Sequence, residues 1–142
     1  MYYFLIYISK STNPMPEEEL LDILKVARPN NEKRNITGML LYAKGLFIQL
    51  LEGDEDQVTQ VFGKIGQDSR HYDIRVLIKG RKEERSYANW TMGFENLRED
   101  KDYSDIPGVN DFLRNVAPYD SAVSQPDGAL NMLLNFKQAL DR

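Results

Sequence analysis

The stretch that most constrains this chain is ITGMLLYAKGLFIQLLEG at residues 36–53, an apolar run interrupted near its middle by Ala43-Lys44-Gly45. Residues 36–42 and 46–52 read as two strands joined by a hairpin, since a glycine-containing break between short apolar runs supplies the backbone freedom of a tight turn. Residues 2–9 (YYFLIYIS), aromatic and β-branched and followed by Thr12-Asn13-Pro14, read as a further, buried strand.

Between these strands the periodicity changes. Leu20, Ile23, Leu24 and Ala27 recur at i, i+3, i+4, i+7 behind Glu17-Glu18-Glu19, the pattern of an amphipathic helix with acids at its N-terminus. Pro29 is expected to end or kink that helix, because proline has no amide proton and disfavours helix at the residue before it. After the hairpin, Asp54 with Gln57 three residues on resembles a capping box, and Val58, Val61, Phe62 and Ile65 form the buried stripe of a second, short helix. Residues 73–79 alternate, with Ile74, Val76 and Ile78 on one face, and residues 90–94 complete the set of strands. The order β-α-β-β-α-β-β implies an α+β, ferredoxin-like sandwich.

From residue 98 the composition shifts to a polar linker followed by apolar faces at Val109/Phe112/Leu113/Val116 and Leu130/Leu133/Phe136/Leu140. Two helices joined by a loop over residues 118–126 are expected. They are too small for a core of their own, so residues 98–142 form a helical extension that packs on the sheet of residues 1–97 or on another subunit.

Composition excludes several kinds of chemistry. The sequence has 142 residues, no cysteine and a single histidine, His71. Thiolate metal sites, disulfides, cysteine nucleophiles and cysteinyl–cofactor adducts are all ruled out, as are multi-histidine metal centres. A hydrolase would have to be built round His71 alone. The net charge of −4 gives no bulk attraction to nucleic acid or anionic membrane. The N-terminal apolar run is too short for a membrane span and has no basic flank, so a cytoplasmic protein is expected.

Two carboxamides stand out against this background. Gln49 sits mid-strand in FIQLL, on the face of Phe47 and Leu51, and Tyr7 shares a strand face with Tyr3 and Leu5. Asn31 lies four residues beyond Ala27, so a helix continuing past Pro29 would turn it inward. A buried carboxamide must find partners for two donors and an acceptor. Singly, such residues are ordinary core or turn chemistry.

Together they are more specific. Tyr7, ARPNN at residues 27–31, NITGMLLY at 35–42, FIQLLEG at 47–53, DSRH at 68–71 and WTMGF at 90–94 stand in an order that resembles the BLUF family, blue-light sensors using flavin adenine dinucleotide. The resemblance covers about residues 2–95. It implies a flavin held without a covalent bond between the two helices, with Tyr7 as electron and proton donor and Gln49 between it and the flavin edge. It further implies Asn31, Asn30, Ile23, Phe47 and Leu51 around the ring, and either Met92 or Trp90 beside the glutamine. Lys64, Asp68, Arg70 and His71 would lie at the ribityl–phosphate end, where a basic group suits phosphate oxygens. Pro29, inside the Asn-Asn run, is expected to stiffen the chain before Asn31.

The mechanism this resemblance implies is a hydrogen-bond switch and not enzymatic turnover. Tyr7 gives up an electron and then a proton, and recombination leaves Gln49 rotated or tautomerised. A carboxamide is required because donor and acceptor must share one small rotor. Flavin adenine dinucleotide is the expected form, with the mononucleotide as the other. A homo-oligomer and a separate signalling protein are the expected partners, reached through the fifth strand and the C-terminal helices. The competing reading is a non-photoactive ferredoxin-like binding domain.

Overall fold

Alternation in the strands produces two separate cores, one on each face of a single sheet. Leu5 and Tyr7, Leu40 and Tyr42, and Phe47 and Leu51 bury on one face. Ile6 and Ile8, Met39 and Leu41, and Ile48 and Leu50 bury on the other. The computed structural model describes residues 1–140; the side chain of Leu140, expected on the last apolar face, lies outside the described part.

The strands are β1 (Tyr2–Ser11), β2 (Thr37–Ala43), β3 (Leu46–Gly53), β4 (His71–Lys82) and β5 (Gly93–Asn96), in the order β4-β1-β3-β2-β5. β1 lies antiparallel between β3 and β4, β2 is antiparallel to β3, and β5 adds parallel to β2. With α1 (Glu17–Lys33) and α2 (Glu55–Gly66) on one face, this is the α+β sandwich expected. The β2–β3 turn has Lys44 at φ 54° and Gly45 at φ 73°. Two left-handed residues match the right-handed twist of the flanking strands, which is what a two-residue hairpin requires.

Several local expectations are corrected. α1 runs through Pro29 to Lys33. The amide bond lost at Pro29 is offset by anchors on either side of it: Arg28 Nε donates to the Met92 carbonyl at 3.0 Å, and Asn31 Nδ2 to the Thr91 carbonyl at 3.0 Å. No capping box forms at Asp54; Gln57 Oε1 instead accepts from Arg34 Nη1 at 3.0 Å, tying α2 to α1. β4 starts earlier and ends later than residues 73–79, and register shifts opposite Ile6/Tyr7 and Ile8/Lys10 break its alternation. Ile74 therefore packs on the α1/α2 face while Leu77 packs on the opposite one, and Val76 is exposed. Bulges of this kind bend an edge strand and make it a poorer template for pairing.

The fifth strand starts at Gly93, so Trp90, Thr91 and Met92 lie outside it. Their carbonyls are taken one by one, by the Gly38 amide and by the side chains of Asn31 and Arg28, in place of a ladder. Three C-terminal helices replace the expected two: α3 (Val109–Arg114), α4 (Pro118–Ser124) and α5 (Pro126–Leu140). Pro118 starts α4, where its fixed φ suits the first helical turn, and Ala122 buries beneath it. α3 ends at Arg114 and Asn115 is extended, which leaves Val116 off the helix and 99% exposed. Val109, Leu113, Ala129, Met132, Leu133 and Phe136 cover the second face of the sheet. Among the described residues no helix is long and apolar enough to cross a membrane.

Candidate functional site

A slot of about 260 Å³ opens between α1, α2 and the sheet. Its floor comes from β1 and β3. Tyr7 and Gln49 are direct partners in the β1–β3 register and share a face, so residues distant in sequence are brought side by side. Tyr7 Oη donates to Gln49 Oε1 at 2.5 Å, and Gln49 Nε2 donates to Met92 Sδ at 3.2 Å. All three are buried, with Tyr7 3%, Gln49 7% and Met92 2% exposed. Burial is the main cause that pushes the Tyr7 phenol well above its ordinary range, and the Asp68 carboxylate adds to it. Tyr7 is therefore a neutral O–H donor throughout the physiological range.

Of Met92 and Trp90, Met92 is the one that bonds Gln49 in this structure. Trp90 is 38% exposed and does not line the slot. The two residues were expected to share a strand face; neither is in the strand.

α1 supplies Ile23, Asn30 and Asn31 along one wall, as the continued helical spacing requires. Asn31 spends one Nδ2 proton on Thr91, which leaves its Oδ1 as an acceptor. Phe47 packs on Tyr42 at 4.9 Å between ring centroids and on the edge of His71 at 6.1 Å. Leu51 is fully buried in the core of this face and does not reach the slot.

Lys64, Asp68, Arg70 and His71 also line the slot, with the His71 ring 6.4 Å from that of Tyr7 between centroids. Arg70 donates through Nε and Nη2 to both Asp68 oxygens, at 2.9 Å and 2.5 Å for the closest contacts, and its own amide bonds Asp68 Oδ1 at 2.9 Å. Those bonds, the Arg70 side chain first, lower the Asp68 carboxyl from 3.8 to about 2. His71 bridges the Ile65 carbonyl through Nε2 at 2.6 Å and Ser9 Oγ through Nδ1 at 2.8 Å. It fastens the end of α2 to β1. Lys64 alone of the cations lining the slot makes no side-chain hydrogen bond or ion pair among the described residues.

Leu24, Ala27, Arg34, Leu40, Val61 and Ile65 also line the slot. Arg34 and Leu40 were not anticipated. Residues 27, 31 and 34 fall at i, i+4, i+7, so extending the helical stripe through Pro29 would have found Arg34.

The lining suits a flat heteroaromatic ring carrying alternating carbonyl and N–H groups. Three carboxamides, Asn30, Asn31 and Gln49, offer donors and acceptors at the apolar slot, and Lys64 adds an unpaired positive charge to its lining. No cluster among the described residues could hold a metal ion.

Residues 2–93 match the BLUF family, described as sensors of blue-light using FAD. The chain is 43% identical over 89 residues to the photoactivated adenylate cyclase subunit beta of Euglena longa, a match covering 62% of this chain and 10% of that protein. It thus spans about a tenth of the length of such curated relatives. Among solved structures, BlsA in its ground state superposes with a TM-score of 0.76 at 30% identity, covering 94% of this chain and 88% of that one. A bacterial light-regulated adenylyl cyclase gives 0.77 at 35% identity over 88% of this chain and 36% of its own. BlrB, a BLUF protein in its dark state, shares the fold at a TM-score of 0.79 and 21% identity, with 97% and 96% covered. With the buried Tyr7–Gln49 pair at the floor of a slot suited to a flavin, the chain belongs to the BLUF family of flavin-binding blue-light sensors.

Proposed function

We propose that this chain reports blue light by switching the orientation or tautomer of Gln49, with FAD as the bound flavin. What carries the proposal is the buried chain Tyr7 Oη–Gln49–Met92 Sδ. A bound flavin supplies absorption in the blue and an excited state that accepts an electron.

Tyr7 is the side chain suited to give that electron: a phenol with its proton already directed at an acceptor. Loss of an electron makes the phenol strongly acidic, so its proton moves along the 2.5 Å bond to Gln49 Oε1. Return of the electron and of a proton restores Tyr7 and leaves Gln49 rearranged. Met92 favours such mobility, because a thioether accepts weakly and donates nothing. The amide is held firmly at its oxygen and loosely at its nitrogen. No substrate is consumed, so the chain acts as a sensor and not as an enzyme.

Asn30, Asn31, Ile23 and Phe47 would hold the ring, and Lys64 the phosphates, with Asp68 keeping Arg70 largely occupied. Residues 1–97 form the sensor and residues 98–142 the output extension. The protein works in the cytoplasm, on a second copy of itself or on a separate signalling protein.

The test is an absorption spectrum of purified protein in the dark, after blue light and during recovery. A flavin spectrum that moves slightly to the red and returns is expected, and chromatography of the released ligand separates FAD from FMN. Gln49→Leu should keep the flavin and lose the shift; a reversible shift in that variant overturns the switch.

A further inference from the structure

The sheet separates the Tyr7–Gln49 slot from α3, α4 and α5, and the segment between β4 and β5 (residues 83–92) passes from one side to the other. Met92 belongs to the core on the slot face, and Tyr87, five residues earlier, to the core under the C-terminal helices. Tyr87 is 1% exposed, and its hydroxyl donates to the Leu133 carbonyl of α5 at 2.5 Å. The segment therefore bonds the switch residue Gln49 at one end and α5 near its middle.

Its internal bonds make it stiff. The Trp90 amide closes a turn on the Tyr87 carbonyl at 3.1 Å, and the Trp90 carbonyl accepts from the Gly38 amide at 3.0 Å. Upstream of the turn stands Glu52, a carboxylate with no exposed surface, on the same strand as Gln49. It accepts from the amides of Tyr87 at 2.6 Å and Ser86 at 2.9 Å and from Thr37 Oγ1 at 3.3 Å, and pairs with Lys82 Nζ at 2.7 Å. A buried charge persists only when its lone pairs are filled in this way. Arg85 adds bonds to the Asn35 and Glu52 carbonyls. Residues 85–92 are thus one braced piece, pinned to β3 by Glu52 and carrying a polar side-chain contact on each face of the sheet.

We infer that Tyr87 is the positioning residue through which the state of Gln49 reaches α5. When Gln49 turns its nitrogen away from Met92, the Met92 side chain is released while Arg28, Asn31 and Gly38 keep hold of the backbone carbonyls, and the piece re-seats about those bonds and Glu52 and slackens the Tyr87–Leu133 bond. The inference rests on the light-switch reading above. Coupling of this kind is reciprocal, so the α5 contact also biases Gln49.

The test is hydrogen–deuterium exchange on the full flavin-loaded chain, in the dark and under blue light, alongside the absorption shift. Leu133 is the carbonyl that accepts the Lys137 amide within α5, so exchange around Lys137 reports the contact. In the wild type, light should speed exchange there by about fivefold, the size expected when one buried hydrogen bond is made in only one state. Tyr87→Phe keeps the ring and removes the bond. It should retain the full absorption shift, show faster α5 exchange already in the dark, and respond to light by less than about twofold. A Tyr87→Phe protein with the wild-type light response in α5, or a wild type whose shift leaves α5 unchanged, overturns the coupling alone. A wild type with bound flavin and no absorption shift overturns the switch and this inference with it.

Discussion

Replacing Tyr7 by Phe keeps a ring against Phe62, 5.3 Å away between centroids, and removes a single hydroxyl. Gln49 Oε1 then loses its donor at a site where the residue is 7% exposed. Gln49→Leu does the converse and strands the Tyr7 hydroxyl. An unpaired buried polar atom costs about 1–3 kcal/mol. Both side chains line a slot that admits water, so the lower part of that range applies, about 1–2 kcal/mol for each single variant. The double variant Tyr7→Phe/Gln49→Leu removes both ends of the bond together. Only the Met92 sulfur remains, a weak acceptor that needs no donor. The double variant should be more stable than either single one and close to the wild type, a non-additivity of about 2–4 kcal/mol. Urea unfolding of the flavin-free protein, followed by circular dichroism, measures this without the linkage that a bound ligand adds. Losses that add within about 0.5 kcal/mol refute the claim that these groups depend on one another.

Two further outcomes follow from the same geometry. Asp68, lowered from 3.8 to about 2 chiefly by the Arg70 side chain, contributes stability that is fully present above the higher value and is lost as pH falls through the lower one. Urea midpoints of Asp68→Asn should therefore fall less steeply than those of the wild type across that window, and parallel profiles count against the pairing. At the C-terminus, Val116→Ser should change stability by less than about 0.5 kcal/mol, whereas Phe136→Ala should cost about 3–5 kcal/mol. Equal losses would mean that Val116 is covered and that α3 continues past Arg114.

The readings that succeeded were those resting on period and chain order. Strand alternation sorted Phe47, Gln49 and Leu51 from Leu46, Ile48 and Leu50, and Ala43-Lys44-Gly45 marked the hairpin because left-handed backbone is a local requirement. Those that failed concern places where distant side chains replace local bonds. Pro29 breaks a helix considered alone; here Arg28 and Asn31 hold both of its flanks to residues about sixty positions away. The same two side chains occupy the Thr91 and Met92 carbonyls, which delays the fifth strand. The same pair of long-range contacts thus accounts for the continued helix and for the late strand. α4 was missed for a different reason: seven residues cannot sustain a helix on propensity alone, and its stability comes from the sheet beneath it.

Fold and site are the same constraint in this chain. Tyr7 meets Gln49 only because β1 and β3 pair with Leu5 opposite Leu51 and Ser9 opposite Phe47. A slip of one residue would reverse the faces of a whole strand, sending Gln49 under the C-terminal helices and Ile48 or Leu50 into the slot. That slip is opposed on both sides at once, since β2 and β3 are buried on each face along their full length. It is opposed at the end as well, where an alanine Cβ at Gly38 would stand 1.9 Å from the Leu50 carbonyl oxygen and only glycine lets β2 approach. Glu52 adds a further check, because moving it one place would strip a buried carboxylate of the Ser86 and Tyr87 amides. The apolar pattern that builds the two cores therefore also holds one phenol against one carboxamide, so the pair on which the proposed switch rests is set by the strand register.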